Sequence, residues 1–415
     1  MTSERISATH LVVQVCACQV LVQIGAFFWP ALLPELAGRW ALTNSQAGWI
    51  TAIFYGAYIV AVPILVTLTD RIDAKRVYLA GVAATVLGHL LFALLADGFW
   101  SAFAARALTG IGWAGTYMTG LKLLADQVDD KLMSRATAGH AASIGISGAL
   151  SFACADFVAG ALGWRAAFLA ASVSAAIAWL IVALNAPRQA KRSSPPQSIR
   201  SLFDFRPVLK NRSAMAYAVA YCVHTLEMNA LRGWGVAFLG FVAVGTGIPD
   251  TLSPTTTLTI LGLAGTLASV LGNEAAIRLG RQRLITFAMM GSAACAILLG
   301  YVGTQSYLLA VGLILIYGPI VWLDSSSLTA GTAGSAEPSR RGATLAVHSM
   351  LGYIGGFVGP LAVGFVLDLG GGMSSASWSA AFTLIAALMV MGLFAFAWLQ
   401  PRALAGDRGR DAHDR

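Results

Sequence analysis

Ionisable side chains lie within long apolar stretches of this sequence, most densely in the segment YCVHTLEMNALRGW at residues 221–234. His224 and Glu227 stand three residues apart there, so in a helix they occupy neighbouring positions of one face. A carboxyl group such as Glu227 can take up and release a proton in apolar surroundings, and a nearby imidazole can tune that exchange. These residue types and their spacing make Glu227 and His224 candidates for proton coupling. The alternative for each is a structural side chain that a neighbouring helix satisfies.

Two arginines in apolar stretches are candidates for binding a negatively charged group. Arg106 begins the segment RALTGIGWAG, and Asp156, predicted at similar depth on the next helix, is an alternative ion-pair partner for it. Arg232 follows Glu227 by five residues, about 140° around a helix, so these two are not expected to pair directly. Three further side chains are candidates for contact with a ligand: Tyr117, Trp234 and Asp324, and the alternative for Tyr117 is a packing role. Asp324 precedes three serines, and this polar patch either faces water or ligand or marks a helix break.

No arrangement typical of a metal site, a catalytic nucleophile or a phosphate-binding loop stands out. His224 and Met228 share a helical face and can both bind copper, but one histidine and one methionine are too few ligands. The five cysteines all lie in apolar stretches without the spacing of a metal knuckle. We therefore expect no metal, no organic cofactor and no enzyme activity, and the chain lacks the motif of a direct ATP-driven pump.

The elements that must position these side chains are predicted to be membrane-spanning helices. The chain has 415 residues, of which 57% are hydrophobic and only 11% charged, and its mean hydropathy is +0.72. Most of it must therefore face lipid or other apolar helices. The lysines and arginines lie in short loops instead of forming one face, which excludes a nucleic-acid partner. With ~20 apolar residues per crossing, the sequence predicts twelve spans: 9–34, 45–69, 75–96, 99–124, 136–162, 164–186, 213–244, 255–279, 283–303, 306–333, 342–368 and 377–400.

The distribution of basic residues predicts how these spans are organised. The basic loops all fall on one side of the membrane, so both termini are predicted to be cytoplasmic. A polar, basic linker separates two halves whose equivalent loops carry equivalent basic clusters, and such a six-plus-six duplication is what an alternating-access transporter requires. The predicted domains are an N-terminal six-helix bundle, a cytoplasmic linker, a C-terminal six-helix bundle and a disordered cytoplasmic tail, at residues 1–186, 187–212, 213–400 and 401–415.

The loop after the second span resembles the signature loop of the major facilitator superfamily, G-x-x-x-D-R-x-G-R-[RK]. Asp70 and Arg71 match the central pair and Lys75 the terminal base, whereas Val66 and Asp73 stand where the family has glycines. The second-half copy, AIRLGRQR at residues 276–283, keeps basic residues but lacks the acid. The resemblance covers nearly the whole chain. It implies an all-α integral membrane protein with twelve transmembrane helices in two pseudo-symmetric six-helix bundles.

The resemblance also implies roles for particular residues. Asp70, Arg71, Lys75 and Arg76 would form a conformational latch at the inner ends of the helices, and the alternative is simple topogenic charge. Arg106, followed by Gly110 and Gly112, fits the buried arginine in the fourth span of proton-coupled members. The Gly-Pro signature of antiporters is missing from the fifth span, which favours symport.

These observations predict a monomeric, proton-coupled secondary transporter in a bacterial inner membrane, moving a small polar or anionic organic solute through the lipid bilayer. Glu227 would carry the proton, with Arg106 and Arg232 meeting the charge of the substrate. The alternative is proton-driven efflux of amphipathic or drug-like compounds, in which Trp113, Trp234 and Trp322 would stack on cations. A sensor built on the same scaffold is disfavoured because the linker and the tail are too short for a signalling domain.

Overall fold

The computed structural model describes residues 8–69, 71–128, 130–187, 205–247, 252–404 and 407, and within these ranges every regular element is a helix. The chain divides into two compact units. Unit 1 comprises Met1–Leu42 and Ile53–Ser193, and unit 2 comprises Thr43–Ala52 and Ser194–Arg415. The first turns of the helix that begins at Asn44 therefore group with unit 2.

The described helices of the first half are α1 Ala8–Gln23, α2 Phe28–Arg39, α3 Asn44–Leu68, α4 Ala74–Leu95, α5 Phe99–Ala114, α6 Tyr117–Ala125, α7 Asp130–Leu162 and α8 Trp164–Asn185. Those of the second half are α9 Arg206–Lys210, α10 Arg212–Thr246, α11 Pro254–Leu279, α12 Arg281–Tyr301, α13 Tyr307–Trp322, α14 Ser325–Ser335, α15 Arg341–Leu369 and α16 Ser375–Leu399. Most of the predicted linker, residues 188–204, lies outside the described residues, and its end forms α9 and the start of α10.

Eleven helical segments within the described residues are long and apolar enough to cross a membrane. The remaining predicted span, residues 99–124, is divided into α5 and α6 at Gly115 and Thr116, so neither piece is long enough to span alone. Together, these eleven segments and the divided fourth span account for the twelve predicted spans. For most of them, the predicted limits and the observed helix ends agree to within a few residues.

The fourth and tenth spans break at equivalent places. The helix before each break, α5 or α13, has 16 residues. Two residues then interrupt the helix before α6 or α14 begins: Gly115 and Thr116 in the fourth span, Leu323 and Asp324 in the tenth. Asp324 therefore lies in a helix break, which was one of the two interpretations of its polar neighbourhood.

Helix α10 is the central element of unit 2 because it packs against α11, α13, α14, α15 and α16. Side-chain hydrogen bonds join it to backbone carbonyls of α15: Thr225 Oγ1 donates to Gly352 at 2.6 Å, and Trp234 Nε1 donates to Pro360 at 2.8 Å. Glycines of α15 permit this approach, since a Cβ at Gly355 or Gly359 would collide with the α10 backbone. The face of α10 that carries His224 and Glu227 is thus held inside unit 2.

Of the tail predicted at residues 401–415, residues 401–404 and Asp407 pack against helices of unit 2, and the others lie outside the described residues. The backbone of Arg402 donates to Ser213 Oγ at 2.9 Å, and its carbonyl accepts a bond of 2.9 Å from the Tyr217 hydroxyl. Asp407 is 6% exposed. The charged composition of the tail predicted disorder, whereas the partner of the Asp407 carboxylate, Arg281, lies on a distant helix.

Candidate functional site

The carboxyl group of Glu227 is buried inside unit 2 with few partners. The residue is 1% exposed, and its Oε1 accepts a hydrogen bond of 2.7 Å from the Tyr317 hydroxyl of α13. Oε2 has no hydrogen-bond partner among the described residues, and the nearby Ser292 hydroxyl donates instead to the carbonyl of Met289 at 3.2 Å. No lysine or arginine in the described part of the chain forms an ion pair with Glu227. A buried carboxylate without a cation is costly, so this arrangement suits a group that is protonated for part of a cycle.

His224 and Asp324 form a second buried pair. Nδ1 of His224 lies 2.9 Å from Oδ1 of Asp324, and both side chains are almost completely buried. Asp324 is the N-cap residue of α14 but makes no side-chain bond to that helix. An aspartate at this position usually accepts from its own helix. Here the Asp324 carboxylate instead contacts the imidazole of His224 on α10. The two residues therefore meet across the interface between these helices.

Two residues that the sequence analysis did not single out extend this pair. The Tyr221 ring stacks on His224 at 5.6 Å between centroids and on His348 of α15 at 4.0 Å. The imidazole of His348 lies within hydrogen-bonding distance of two hydroxyls of α14, those of Thr329 at 3.1 Å and Thr332 at 3.0 Å. The only sequence signal for these additional contacts was the position of His348 close to the basic loop that precedes the eleventh span.

Arg232 lies over the Trp322 ring at 4.5 Å from its centroid, and both residues are largely buried. This geometry is a cation–π contact. Trp322 is the last residue of α13, immediately before the break, and Gly265 of α11 packs against its indole. The guanidinium that was predicted to meet substrate charge is therefore held by an aromatic face beside the break.

Replacing Gly265 with alanine is expected to lower the melting temperature of the purified protein. The added Cβ would stand 2.7 Å from Trp322 Cδ2, and the indole cannot yield without disturbing Arg232. Overpacking of this kind costs about 1–3 kcal/mol. The matched control is Gly240→Ala on α10, where a Cβ meets nothing within 4 Å. Equal melting temperatures for the two variants would contradict the packing described here.

Trp234 is 2% exposed and lines a cavity of about 10 Å³ beside Glu227. Such a space has room for about one water molecule. The Trp378 indole N–H has no hydrogen-bond partner among the described residues. The cavity is lined by Glu227, Leu231, Trp234, Tyr317, Trp378 and Phe382. Trp234 therefore combines a packing role, through its bond to Pro360, with a place beside the candidate proton site.

Arg106 is the buried cation of unit 1. It is 2% exposed, donates from Nη1 to the Ala26 carbonyl at 3.1 Å, and lies 4.4 Å from the centroid of the Phe54 ring. Its Nε has no hydrogen-bond partner among the described residues. The alternative of an ion pair with Asp156 is wrong, because Asp156 is exposed whereas Arg106 is buried, and the two side chains form no ion pair. A buried guanidinium without a carboxylate is suited to an anionic ligand.

Tyr117 lies in the first turn of α6, directly after the break in the fourth span. Its ring stacks on His140 at 5.8 Å, and its carbonyl lies 2.9 Å from Nε2 of the same imidazole. The side chain is half-buried. The structure thus places Tyr117 beside a histidine, and its predicted contact with substrate stays a prediction.

Of the four latch residues, Arg71 lies in the loop between α3 and α4, and Lys75 and Arg76 lie in the first turn of α4. Asp70 is outside the described residues, and Arg71 and Arg76 are exposed. Lys75 is 7% exposed, and its ammonium donates to the carbonyls of Ala183 and Ala186 at the end of α8, at 2.9 and 2.6 Å. Lysine at a helix C-terminus satisfies carbonyls that have no partner in their own helix. The latch itself stays a prediction.

A helical chain with twelve apolar spans and buried ionisable side chains in both units is the architecture of a membrane transporter. The sequence profile of the Major Facilitator Superfamily matches residues 15–360, and the chain belongs to this family. The resemblance noted from the sequence is confirmed. The protein is a multi-pass transmembrane transporter and not an enzyme.

Individual relatives are distant. Protein spinster homolog 1 from Bos taurus is 24% identical over 86% of this chain and 72% of its own length. Sphingosine-1-phosphate transporter SPNS2 from Xenopus tropicalis is 24% identical over 81% of this chain and 69% of its own length. Among solved structures, a bacterial homologue of the human lysosomal transporter Spinster has a TM-score of 0.75 at 13% identity, covering 96% of both chains. This last similarity concerns the fold alone.

Proposed function

We propose that the protein is a secondary active, proton-coupled transporter of an anionic organic solute, with Glu227 as the proton carrier. The observation that carries this proposal is the environment of the Glu227 carboxyl group, which is 1% exposed and accepts a hydrogen bond from the Tyr317 hydroxyl, with Oε2 unbonded among the described residues. A carboxylate in such a place has a strong reason to bind a proton, because no lysine or arginine among the described residues forms an ion pair with it. His224 of α10 and Asp324 at the break in the tenth span, with Nδ1 and Oδ1 2.9 Å apart, are a second pair of buried ionisable groups within unit 2.

Arg106 supports the anionic nature of the substrate. Its buried charge has no carboxylate partner among the described residues, so a substrate anion would supply the missing compensation. One relative is named for sphingosine-1-phosphate, a compound with a phosphate group. A phosphate monoester on an organic tail is therefore the first chemical class to test, with Arg232 as a second cation within unit 2.

A second candidate function is efflux of amphipathic cations. The observation that favours it is the cavity beside Glu227, whose walls include the rings of Trp234, Trp378 and Phe382. A carboxylate with aromatic neighbours attracts organic cations. The present cavity has room for about one water molecule, so this function requires the helices around it to separate.

We place the protein in a bacterial inner membrane as a monomer with both termini cytoplasmic. The support is the distribution of arginine and lysine residues, which cluster in the loops after the second, fourth, sixth, eighth and tenth spans. The domain limits that we propose remain residues 1–186 and 213–400 for the two six-helix bundles, joined by a linker at 187–212.

The two candidate functions are distinguished by the melting temperature of the purified protein, measured with each of four compounds: sphingosine-1-phosphate, sphingosine, uridine and tetraphenylphosphonium. A ligand that binds only the folded state raises the melting temperature by mass action. We expect a rise with sphingosine-1-phosphate and none with sphingosine, because the two differ in the phosphate that Arg106 would bind. A rise with tetraphenylphosphonium alone would favour efflux, and a rise with uridine alone would favour a neutral polar solute.

A further inference from the structure

The carboxylate of Asp407 forms a two-pronged ion pair with Arg281, at the start of α12. Oδ2 lies 3.0 Å from Nε and Oδ1 lies 3.0 Å from Nη2. Both side chains are 4% exposed. Parallel bonds between guanidinium and carboxylate are strong and directional. Because both charges are buried, removing either one leaves the other without compensation.

The remaining nitrogen of Arg281 connects this pair to two other helices. Nη1 donates to Asn273 Oδ1 of α11 at 3.0 Å and to the Ser327 carbonyl of α14 at 3.1 Å. Ser327 lies in the first turn of α14, three residues after Asp324. Arg281 therefore holds the segment that follows the break in the tenth span, and Asp407 holds Arg281.

The chain before Asp407 is fixed to the same part of unit 2. Arg402 is bonded through its backbone to Ser213 and Tyr217 of α10, and the Gln282 side chain donates to the Pro401 carbonyl. Leu404 occupies the space next to Gly334 of α14, where a Cβ would stand 2.8 Å from the leucine methyl groups. These contacts bring the acid to Arg281 from a position 126 residues later in the chain.

The sequence explains why an acid from elsewhere is needed. In the first half, Asp70 precedes Arg71 in the loop after the second span; in the second half, Ile277 precedes Arg278 at the corresponding place. The second loop thus keeps its arginines and has no acid of its own. Asp407 supplies a negative charge to Arg281 that its own loop lacks.

We propose that Asp407 is a positioning residue of the transport site, which acts through Arg281 to fix the first turn of α14 and so the placement of Asp324. The part that Asp324 plays in transport rests on the proposed function. The attachment of α14 by Arg281 and Asp407 is independent of that function, and it can be tested without any substrate.

The test is amide hydrogen exchange of the complete, purified protein and its variants, compared helix by helix. In Asp407→Asn, the amides of α14 are expected to exchange at least about tenfold faster than in the wild type, because local opening no longer breaks a buried ion pair. Asp407→Glu restores the charge and is expected to return the rate towards that of the wild type. Arg281→Lys keeps a charge but loses the planar fork, so an intermediate acceleration is expected.

Two truncated chains test whether Asp407 itself slows the exchange of the α14 amides. A chain that ends at Asp407 should exchange like the wild type in α14, and a chain that ends one residue earlier should behave like Asp407→Asn. The proposal is overturned if these two chains exchange alike, or if exchange rises equally in α1 of unit 1, which would mean a general loss of stability. Should the shorter chain not fold, the full-length pair Asp407→Asn and Asp407→Glu decides. A negative result here leaves ligand-induced melting shifts unchanged, so it is distinguishable from failure of the proposed function.

Discussion

The substitution Glu227→Gln is expected to remove much of the pH dependence of the melting temperature. The buried carboxyl group costs little when protonated and much when charged, because no lysine or arginine in the described part of the chain forms an ion pair with it. The wild type should therefore melt at a higher temperature at about pH 5.5 than at about pH 7.5, the window in which proton-coupling groups act. Glutamine keeps an acceptor for Tyr317 and cannot ionise. We expect the difference between the two pH values to shrink by about 3 °C or more, the equivalent of about 1 kcal/mol in a unit of this size.

The control for this experiment is Glu274→Gln on α11. The Glu274 side chain is 56% exposed and pairs on the surface with Arg278. Surface pairs contribute about 0–1 kcal/mol, so this variant should keep the wild-type pH dependence. An unchanged pH dependence in Glu227→Gln would mean that the carboxyl group does not exchange its proton in this range, and the coupling role would have to pass to His224 and Asp324.

The substitution Arg106→Met is expected to leave the unliganded protein folded while abolishing the stabilisation by an anionic ligand. Methionine matches the length of the aliphatic part of arginine, and removing a buried charge that has no carboxylate partner among the described residues is not intrinsically destabilising. The lost bond to the Ala26 carbonyl costs about 1–3 kcal/mol and opposes this gain. For the ligand, losing a buried charge partner should lower affinity at least about 30-fold. The measurement is the melting shift with sphingosine-1-phosphate across a concentration series.

Arg165→Met is the matched variant within unit 1. Arg165 is exposed and lies over the Trp164 ring at 4.7 Å, so the same change there should not alter the response to ligand. Arg106→Lys keeps the charge without the guanidinium fork and should retain part of the affinity. If Arg106→Met responds to the ligand like the wild type, the anion binds elsewhere, with Arg232 as the next candidate.

The fold could be predicted from the sequence because hydropathy and basic loops report directly on the lipid environment. The limits of the seventh span, 213–244, differ little from those of α10, Arg212–Thr246. Helix breaks were harder to locate, since Gly115 and Thr116 are as compatible with a continuous helix as with an interruption. In the tenth span, Asp324 and the serines after it had offered a helix break as one of two interpretations, whereas the break in the fourth span was not predicted.

The candidate site could be predicted only in part, because its side chains lie on different helices. The buried positions of Glu227 and His224 followed from their apolar surroundings, but the partners Tyr317 and Asp324 depend on how α10 packs against α13 and α14. The suggested pairing of Arg106 with Asp156 used depth alone. Depth does not define which way a residue faces, since 100° of rotation separates each helical residue from the next. For Asp407, no local pattern pointed to Arg281.

The most direct test of proton coupling is uptake into proteoliposomes of the compound that raises the melting temperature, with and without an imposed pH gradient. We predict that the wild type accumulates the compound when the outside is acidic, and that Glu227→Gln equilibrates it without accumulation, because a neutral side chain cannot carry the proton. Accumulation by Glu227→Gln at the wild-type level, or wild-type uptake that ignores the pH gradient, would contradict a proton-coupled mechanism centred on Glu227.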